Sequence, residues 1–276
     1  MFFTDRLAVN RQIYLCYILS LLLLLSGCGT LSNGKRWGED VTLRPGLNKV
    51  GTSASNALTS PAFYLPAAAA LLLQVEHADS RISDWAREHT PVYGSNRKAE
   101  DRSNDIRSIT AYIMYSTMLA TPSGNEPVPW GTSKAKGILV QYGAVGVSHF
   151  FISNLKDVTG RDRPTHIDDR SFPAGKTPSA TAFTTISYRN IDTMNLSPPV
   201  KTTLNIGLYT ILAAEGWSQV EAGSHFPADV LAGISIAYFI TACLNDSFMG
   251  LDAEMQGTPI AEINGKNLFI GYCWRF

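Results

Sequence analysis

Apolar residues return at helical spacing in one segment after another: Pro61 to about His77, Ile82 to His89, about Ile106 to Ala120, about Ala135 to Lys156, Pro178 to Asn190, Pro199 to Glu215 and Pro227 to Leu244. A chain patterned in this way buries its apolar faces by packing helix on helix, so the expected fold class is all-α, a helical bundle over residues 61–250. The starts at Pro178, Pro199 and Pro227 are the firmest boundaries, because proline in the first turn gives up no needed N–H and its fixed φ suits the helix. At 276 residues and 45% hydrophobic, the chain supports one well-buried core and does not demand a second. Polar residues such as Gln74, Glu76, Gln141, His149, Asn205 and Asp229 interrupt the runs, which favours a soluble or surface-associated bundle. The Pro227 to Leu244 helix is expected to be its most buried member.

Residues 1–27 read as an export signal. Arg6 and Arg11 supply positive charge, Ile13 to Leu25 is almost wholly apolar, and small residues follow at Ser26 and Gly27. Leu25-Ser26-Gly27-Cys28 resembles the lipobox of bacterial lipoproteins, which implies that Cys28 is acylated and becomes the first mature residue. Gly29 is not the aspartate that resembles an inner-membrane retention signal, so the expected location is the outer membrane, lipid-anchored and facing the periplasm. Residues 28–60, rich in Gly, Ser, Asn and Thr, are expected to form a tether and a loosely packed arm.

Twenty-three basic residues equal 23 acidic ones, so no bulk field draws in nucleic acid, and anion recognition has to be local. With Cys16 in the signal and Cys28 lipidated, Cys243 and Cys273 are left as candidates for a disulfide. No CxxC or clustered His/Cys spacing marks a metal site, and no metal or cofactor is expected. In the tail, residues 251–276, Leu268, Ile270, Tyr272, Trp274 and Phe276 alternate with Phe269, Gly271, Cys273 and Arg275, the two-residue period of a strand. One such stretch cannot make a barrel, so a short β-like tail packed on the helices is expected.

Three segments carry the chemistry. Lys156, Arg161 and Arg163 bring three cations to a turn after an apolar helix, where they can converge on one anion. Ser171 to Pro178 is a turn leading into a helix, where Gly175 permits close backbone approach and the free N–H groups of the first turn suit an anion. Gly223 to Asp229 then opens the last long helix, with His225 just before its positive end and Asp229 four residues on. A carboxylate at that spacing can hold one imidazole nitrogen and leave the other as a nucleophile. Each of the last two segments alone reads as a helix start; together they read as a phosphate site.

The ordered set of Lys156, Arg163-Pro164, then Phe172-Pro173-Ala174-Gly175-Lys176-Thr177, then Gly223-Ser224-His225-Phe226-Pro227-Ala228-Asp229 resembles the three-part signature of the type 2 phosphatidic acid phosphatase and vanadium haloperoxidase superfamily. The resemblance runs from about Pro61 to Leu244 and implies a six-helix core. It implies that His225 attacks phosphorus to give a phosphohistidine, that Asp229 orients it, and that Lys156 and Arg163 hold the phosphoryl oxygens. The pattern departs at Ala174, where the family has Ser, at Lys176, in place of the His that protonates the leaving group, and at Gln219, in place of an Arg. Lys176 remains a proton donor and cation, and Gln219 still donates hydrogen bonds to a phosphate. Arg161 and His166 lie close enough in sequence to compensate.

The expected function is therefore a membrane-anchored phosphatase for a lipid phosphate or diphosphate. Its partners are then a phosphorylated lipid or other phosphate ester and the membrane, with no nucleic acid. The alternative is a catalytically inactive member of the same fold that binds phosphate or serves as an envelope scaffold.

Overall fold

The computed structural model describes residues 27–250, together with the backbone of 258–264 and 267–273. The expected export signal, residues 1–27, lies outside the described residues except for Gly27. Eight helices are described: α1 (Leu47–Thr59), α2 (Pro61–Leu72), α3 (Ala78–His89), α4 (Asn96–Ala120), α5 (Pro127–Thr159), α6 (Lys176–Thr193), α7 (Pro198–Glu221) and α8 (Pro227–Phe248). β1 (Thr258–Asn264) and β2 (Asn267–Cys273) form an antiparallel pair in which Thr258 faces Cys273.

The helix starts follow local chemistry. Ser60 caps α2, its hydroxyl accepting from Ala62 N–H, and Ser95 caps α4 by accepting from Lys98 N–H. Prolines stand in the first turn of α2, α5, α7 and α8. The first expected helix stops at Leu72, and a 3₁₀ turn over Val75–His77, with Glu76 and His77 at positive φ, redirects the chain into α3. Ten residues before the expected Ile106, α4 has already begun. Its early turns are polar, yet Ala99 and Ser103 on their inner side are fully buried.

At the centre stands α6, packed by α4, α5, α7 and α8. It is more enclosed than α8, contrary to the sequence expectation, because its side chains are small and several of its hydroxyls bond their own helix. Thr181 donates to Thr177 O, Thr185 to Thr181 O and Ser187 to Phe183 O. Such a helix looks polar in sequence while fitting tightly on every side. Below the site, Gln141 of α5 bonds both Asn190 of α6 and Asn245 of α8, and Arg189 pairs with Asp246 at 2.7 Å.

Residues 28–60 are not the loose arm expected. Trp37 is completely buried with Leu31, Val140 and Met249, and its ring lies against Gly137, where a Cβ would stand 2.3 Å from it. Helix α1 occupies the rest of this stretch and lies along α8; the residues it buries are Ser53 and Ala57, which leave no periodic apolar signal in the sequence. Around Cys28, Gly27 O accepts from Ser123 N–H at 3.0 Å, and Gly29 N–H donates to Asn125 Oδ1 at 2.8 Å. Cys28 itself is exposed, and Cys243 is a free thiol; the side chain of Cys273 lies outside the described residues.

By length and composition α5 and α8 could each cross a membrane. Half of α8 is buried in the bundle, whereas α5 presents an outer face that includes Leu139, Tyr142, Val147, Phe150 and Phe151.

Candidate phosphate site

The last turn of α5, the loop to α6, the first turn of α6 and the turn between α7 and α8 meet at one end of the bundle. Helix α7 ends at Glu221 and Gly223 takes φ +71°, a turn that brings His225 directly ahead of α8. His225 is 3% exposed. Its Nδ1 lies 2.6 Å from the carbonyl oxygen of Ser171, which can only accept, so Nδ1 carries the proton. Burial first, then the charges of Lys156 and Arg163, hold its pKa well below the usual imidazole range. The ring is therefore neutral at pH 7, with its lone pair on Nε2.

Asp229 does not hold His225 directly, as the spacing had suggested. Its Oδ2 accepts from Ser171 Oγ at 2.5 Å and from Phe226 N–H at 3.1 Å, and its Oδ1 pairs with Arg161 at 2.5 Å. Its backbone carbonyl takes Ala174 N–H at 3.1 Å. Three residues into the helix, the carboxylate caps the start of α8 and cannot also reach back to the ring. It fixes the Ser171 to Ala174 loop instead, and the Ser171 carbonyl orients the imidazole. Burial pushes the Asp229 pKa up, against the Ser171 hydrogen bond and the Arg161 charge.

Arg161 is the buckle of this arrangement. Its second nitrogen pairs with Asp79 of α3 at 2.7 Å, Asp79 Oδ1 accepts from Ala228 N–H at 2.8 Å, and the guanidinium lies 4.4 Å from the Phe226 ring centre. So engaged, Arg161 is not available to replace a missing phosphate ligand. His166 is exposed on a turn, at φ +54°, and is not brought to the imidazole either.

Lys156 is buried, donates to Arg170 O at 2.9 Å, and crosses over Gly175, where a Cβ would stand 3.3 Å from its Cε. Burial, followed by the charges of Arg163 and Arg170, lowers its pKa to about 8. Arg163 bonds Asp168 at 2.6 Å and donates to Ser224 O at 2.9 Å, which places its guanidinium against the residue before His225.

Lys176, in the first turn of α6, is ion-paired with Glu100 of α4, whose other oxygen accepts from Ser224 Oγ at 2.9 Å. Gln219 is 1% exposed and its amide is bonded to Ser103, which in turn donates to Glu215 Oε1 at 3.0 Å. Its side chain is thus committed to α4 rather than held for a phosphate, as the sequence had allowed. Burial raises the Glu215 pKa to about 7.

The structure thus gathers Lys156, Arg163, Gly175, Lys176, His225 and Asp229, and adds Ser171, Ser224, Asp79 and Glu100. Asp79 and Glu100 lie far away in sequence, on polar helix turns that carry no pattern of their own. Among the described residues no three His, Cys, Asp or Glu side chains are grouped to hold a metal ion. Separately, a cavity of about 190 Å³ lies between α2, α6, α7 and α8, lined by Thr181, Thr184, Tyr209, Leu212, Ile234 and Tyr238 among others. It shares no residue with the cationic cluster.

No protein-family model matches the chain, and no curated protein matches it. Among solved structures it is similar to a transmembrane PAP2 type phosphatidylglycerolphosphate phosphatase from Bacillus subtilis. The likeness has 21% identity and a TM-score of 0.48, over 72% of this chain and 94% of that one.

Proposed function

We propose that the protein is a membrane-associated phosphatase that cleaves a lipid phosphate or diphosphate through a phosphohistidine on His225. The observation that carries this reading is a buried, neutral imidazole, protonated at Nδ1 by its bond to Ser171 O and surrounded by Lys156, Arg163 and Lys176. In the first step the Nε2 lone pair forms the N–P bond as the P–O bond to the leaving group breaks. Water then attacks phosphorus, the N–P bond breaks, and its electron pair returns to Nε2. The cations offset charge on the phosphoryl oxygens, and phosphoryl transfer asks for little beyond such positioning and charge stabilisation.

A diphosphate suits the site best, because departing phosphate needs protonation less than an alkoxide does, and Lys176 is already paired with Glu100. The lipid part of the reading is supported by the apolar cavity on α6, α7 and α8, the helices whose ends carry the site. It is also supported by the geometry of α5. Trp130 Nε1 bonds Gly27 O next to Cys28, and at 1.5 Å per residue Lys156 stands about 39 Å further along the helix. A lipid on Cys28 would therefore anchor the end opposite the site. The exposed apolar face of α5 joins the two ends, so a molecule lying on that face would bring the site to the lipid surface, in keeping with an outer-membrane lipoprotein facing the periplasm.

The test is release of inorganic phosphate from lipid monophosphates and diphosphates in vesicles by the native protein and by His225→Ala. Release by the native protein alone is expected; equal release by both would end the proposal. A second reading, a phosphate-binding envelope protein without turnover, draws on the engagement of Gln219 by Ser103 and of Lys176 by Glu100. It predicts phosphate binding by the native protein with no release above the His225→Ala level.

A further inference from the structure

Glu100 was invisible in the sequence, yet it joins the two elements that bring cations to His225. One carboxylate oxygen is paired with Lys176 Nζ at the start of α6, and the other accepts from Ser224 Oγ, on the residue before His225. The Ser224 carbonyl in turn accepts from Arg163. Burial works to raise the Glu100 pKa, but the hydrogen bonds from Lys176 and Ser224 and the charges of Lys176 and Arg163 outweigh it, so the group lies below the ordinary carboxylate range. It is half-exposed and ionised, on the solvent side of the cluster. The other cations have partners of different kinds: Lys156 holds a backbone carbonyl, Arg163 holds Asp168 and a carbonyl, and Arg161 is enclosed between Asp79 and Asp229. Lys176 differs in giving its charge to a half-exposed carboxylate that also accepts from the Ser224 hydroxyl.

We propose that Glu100 sets the anion affinity of this site as its resident counter-ion: it holds Lys176 while the site is empty, and an incoming phosphate must displace it. The inference rests on the phosphate reading of the site. A lysine ammonium can swing between two anions without losing its helix, since its stem is flexible and its charge is compact. In the empty state the carboxylate keeps Lys176 from standing as an unpaired, half-buried charge. In the occupied state Lys176 turns to the phosphoryl oxygens, and Glu100 keeps Ser224 Oγ as its donor. The exchange lowers affinity by the strength of the pair it breaks, and favours ligands whose charge is high enough to win Lys176.

The experiment is calorimetric titration with inorganic phosphate at pH 7.5, using the full chain in detergent, for the native protein, Glu100→Gln, Lys176→Met and the double variant. Glutamine keeps an acceptor for Ser224 and removes only the charge, and Glu100→Ala serves as a second probe should glutamine form a new bond to Lys176. Binding by Glu100→Gln or Glu100→Ala is expected to be about tenfold tighter than by the native protein, the size of effect that one neighbouring charge exerts on a partly buried group. In the Lys176→Met background the gain is expected to shrink below about twofold, because two residues acting through one contact are not additive. Unchanged or weaker binding by both Glu100 variants, or an equal gain with and without Lys176, would overturn the inference. If none of the proteins, native included, binds phosphate, the reading of the site itself fails, an outcome distinct from native binding that Glu100 does not control.

Discussion

On the His225 side of the site, Ser171, Asp229, Arg161 and Asp79 form a closed set: each bonds another of the set, and both carboxylates are almost fully buried. On the Lys176 side, Glu100 is half-exposed, Gln219 faces Ser103, and Glu215 is a buried acid with no cation bonded to it among the described residues. The first side fixes where the His225 ring points; on the proposed reading, the second sets which charges meet a phosphate. Lys176 and Gln219, the two departures that bear on the phosphate, both fall on the second. A side built of reciprocal bonds breaks when one member is removed, whereas a side of single contacts can be retuned.

The largest break is expected at His225 itself. On the proposed mechanism, His225→Ala removes the imidazole that forms the N–P bond, and it should lower turnover by at least about 10³-fold while leaving phosphate affinity within about threefold. Acid-labile label trapped on the native protein, and absent from the variant, checks this. Next in size is Arg161→Ala, which strands two buried carboxylates. Removing one partner of a buried pair costs roughly 3–5 kcal/mol, and partial exposure of the guanidinium moves the expectation to about 2–3 kcal/mol, read from urea unfolding. A loss of stability below about 0.5 kcal/mol would show that the closed set is not closed.

Glu215 tests the other side through pH. Its pKa is raised from 4.5 to about 7 by burial, so between those values the unfolded chain releases a proton that the folded protein keeps. Stability then falls as pH rises through this window, by up to about 3 kcal/mol at 1.36 kcal/mol per pKa unit. Glu215→Gln, which resembles the protonated acid, should flatten that slope and be the more stable protein at pH 8. Unfolding midpoints across pH 4 to 8 decide it.

Lys156 gives a smaller effect of the same kind. With its pKa lowered to about 8, the free protein loses this cation as pH rises through that value, so kcat/KM of the proposed phosphatase should fall on the alkaline side with an apparent pKa near 8. Lys156→Arg keeps its charge and should move that limb upward, even if the guanidinium fits less well beside Gly175.

Much of this was legible in the sequence where residues are apolar or are spaced along one helix start. Helices α6, α7 and α8, each with proline in its first turn, belong to that class; Lys156, Arg163, Lys176 and His225 were linked through the ordered three-segment motif instead. What was not legible came from polar or small residues whose burial depends on a distant partner. Helix α1 and the early turns of α4 bury Ser, Thr and Ala, which leave no periodic signal. Trp37 in a Gly-rich stretch was the one available hint that residues 28–46 are packed. The His225 to Asp229 spacing pointed to a direct bond, but a carboxylate at the third helical position caps its own helix more easily than it reaches the ring before it. The orienting group became a loop carbonyl, and carbonyls have no sequence signature.

Position 219 carries the smallest expected effect and sharpens the comparison most. If the Lys176 side lacked only an arginine to become a full phosphate cradle, Gln219→Arg would raise phosphate affinity and turnover strongly. The structure argues otherwise. The Gln219 amide is bonded to Ser103, and Ser103 leads to Glu215, so a longer cation at 219 meets a buried carboxyl group before it meets the ligand. A guanidinium there should ionise Glu215 and pair with it, an exchange in which the gain from the pair and the cost of burying two charges largely offset each other. Turnover and phosphate affinity should change by less than about threefold, while the pH dependence of stability assigned to Glu215 disappears. A gain of tenfold or more in turnover would place position 219 on the ligand and show that Ser103 and Glu215 do not hold it away.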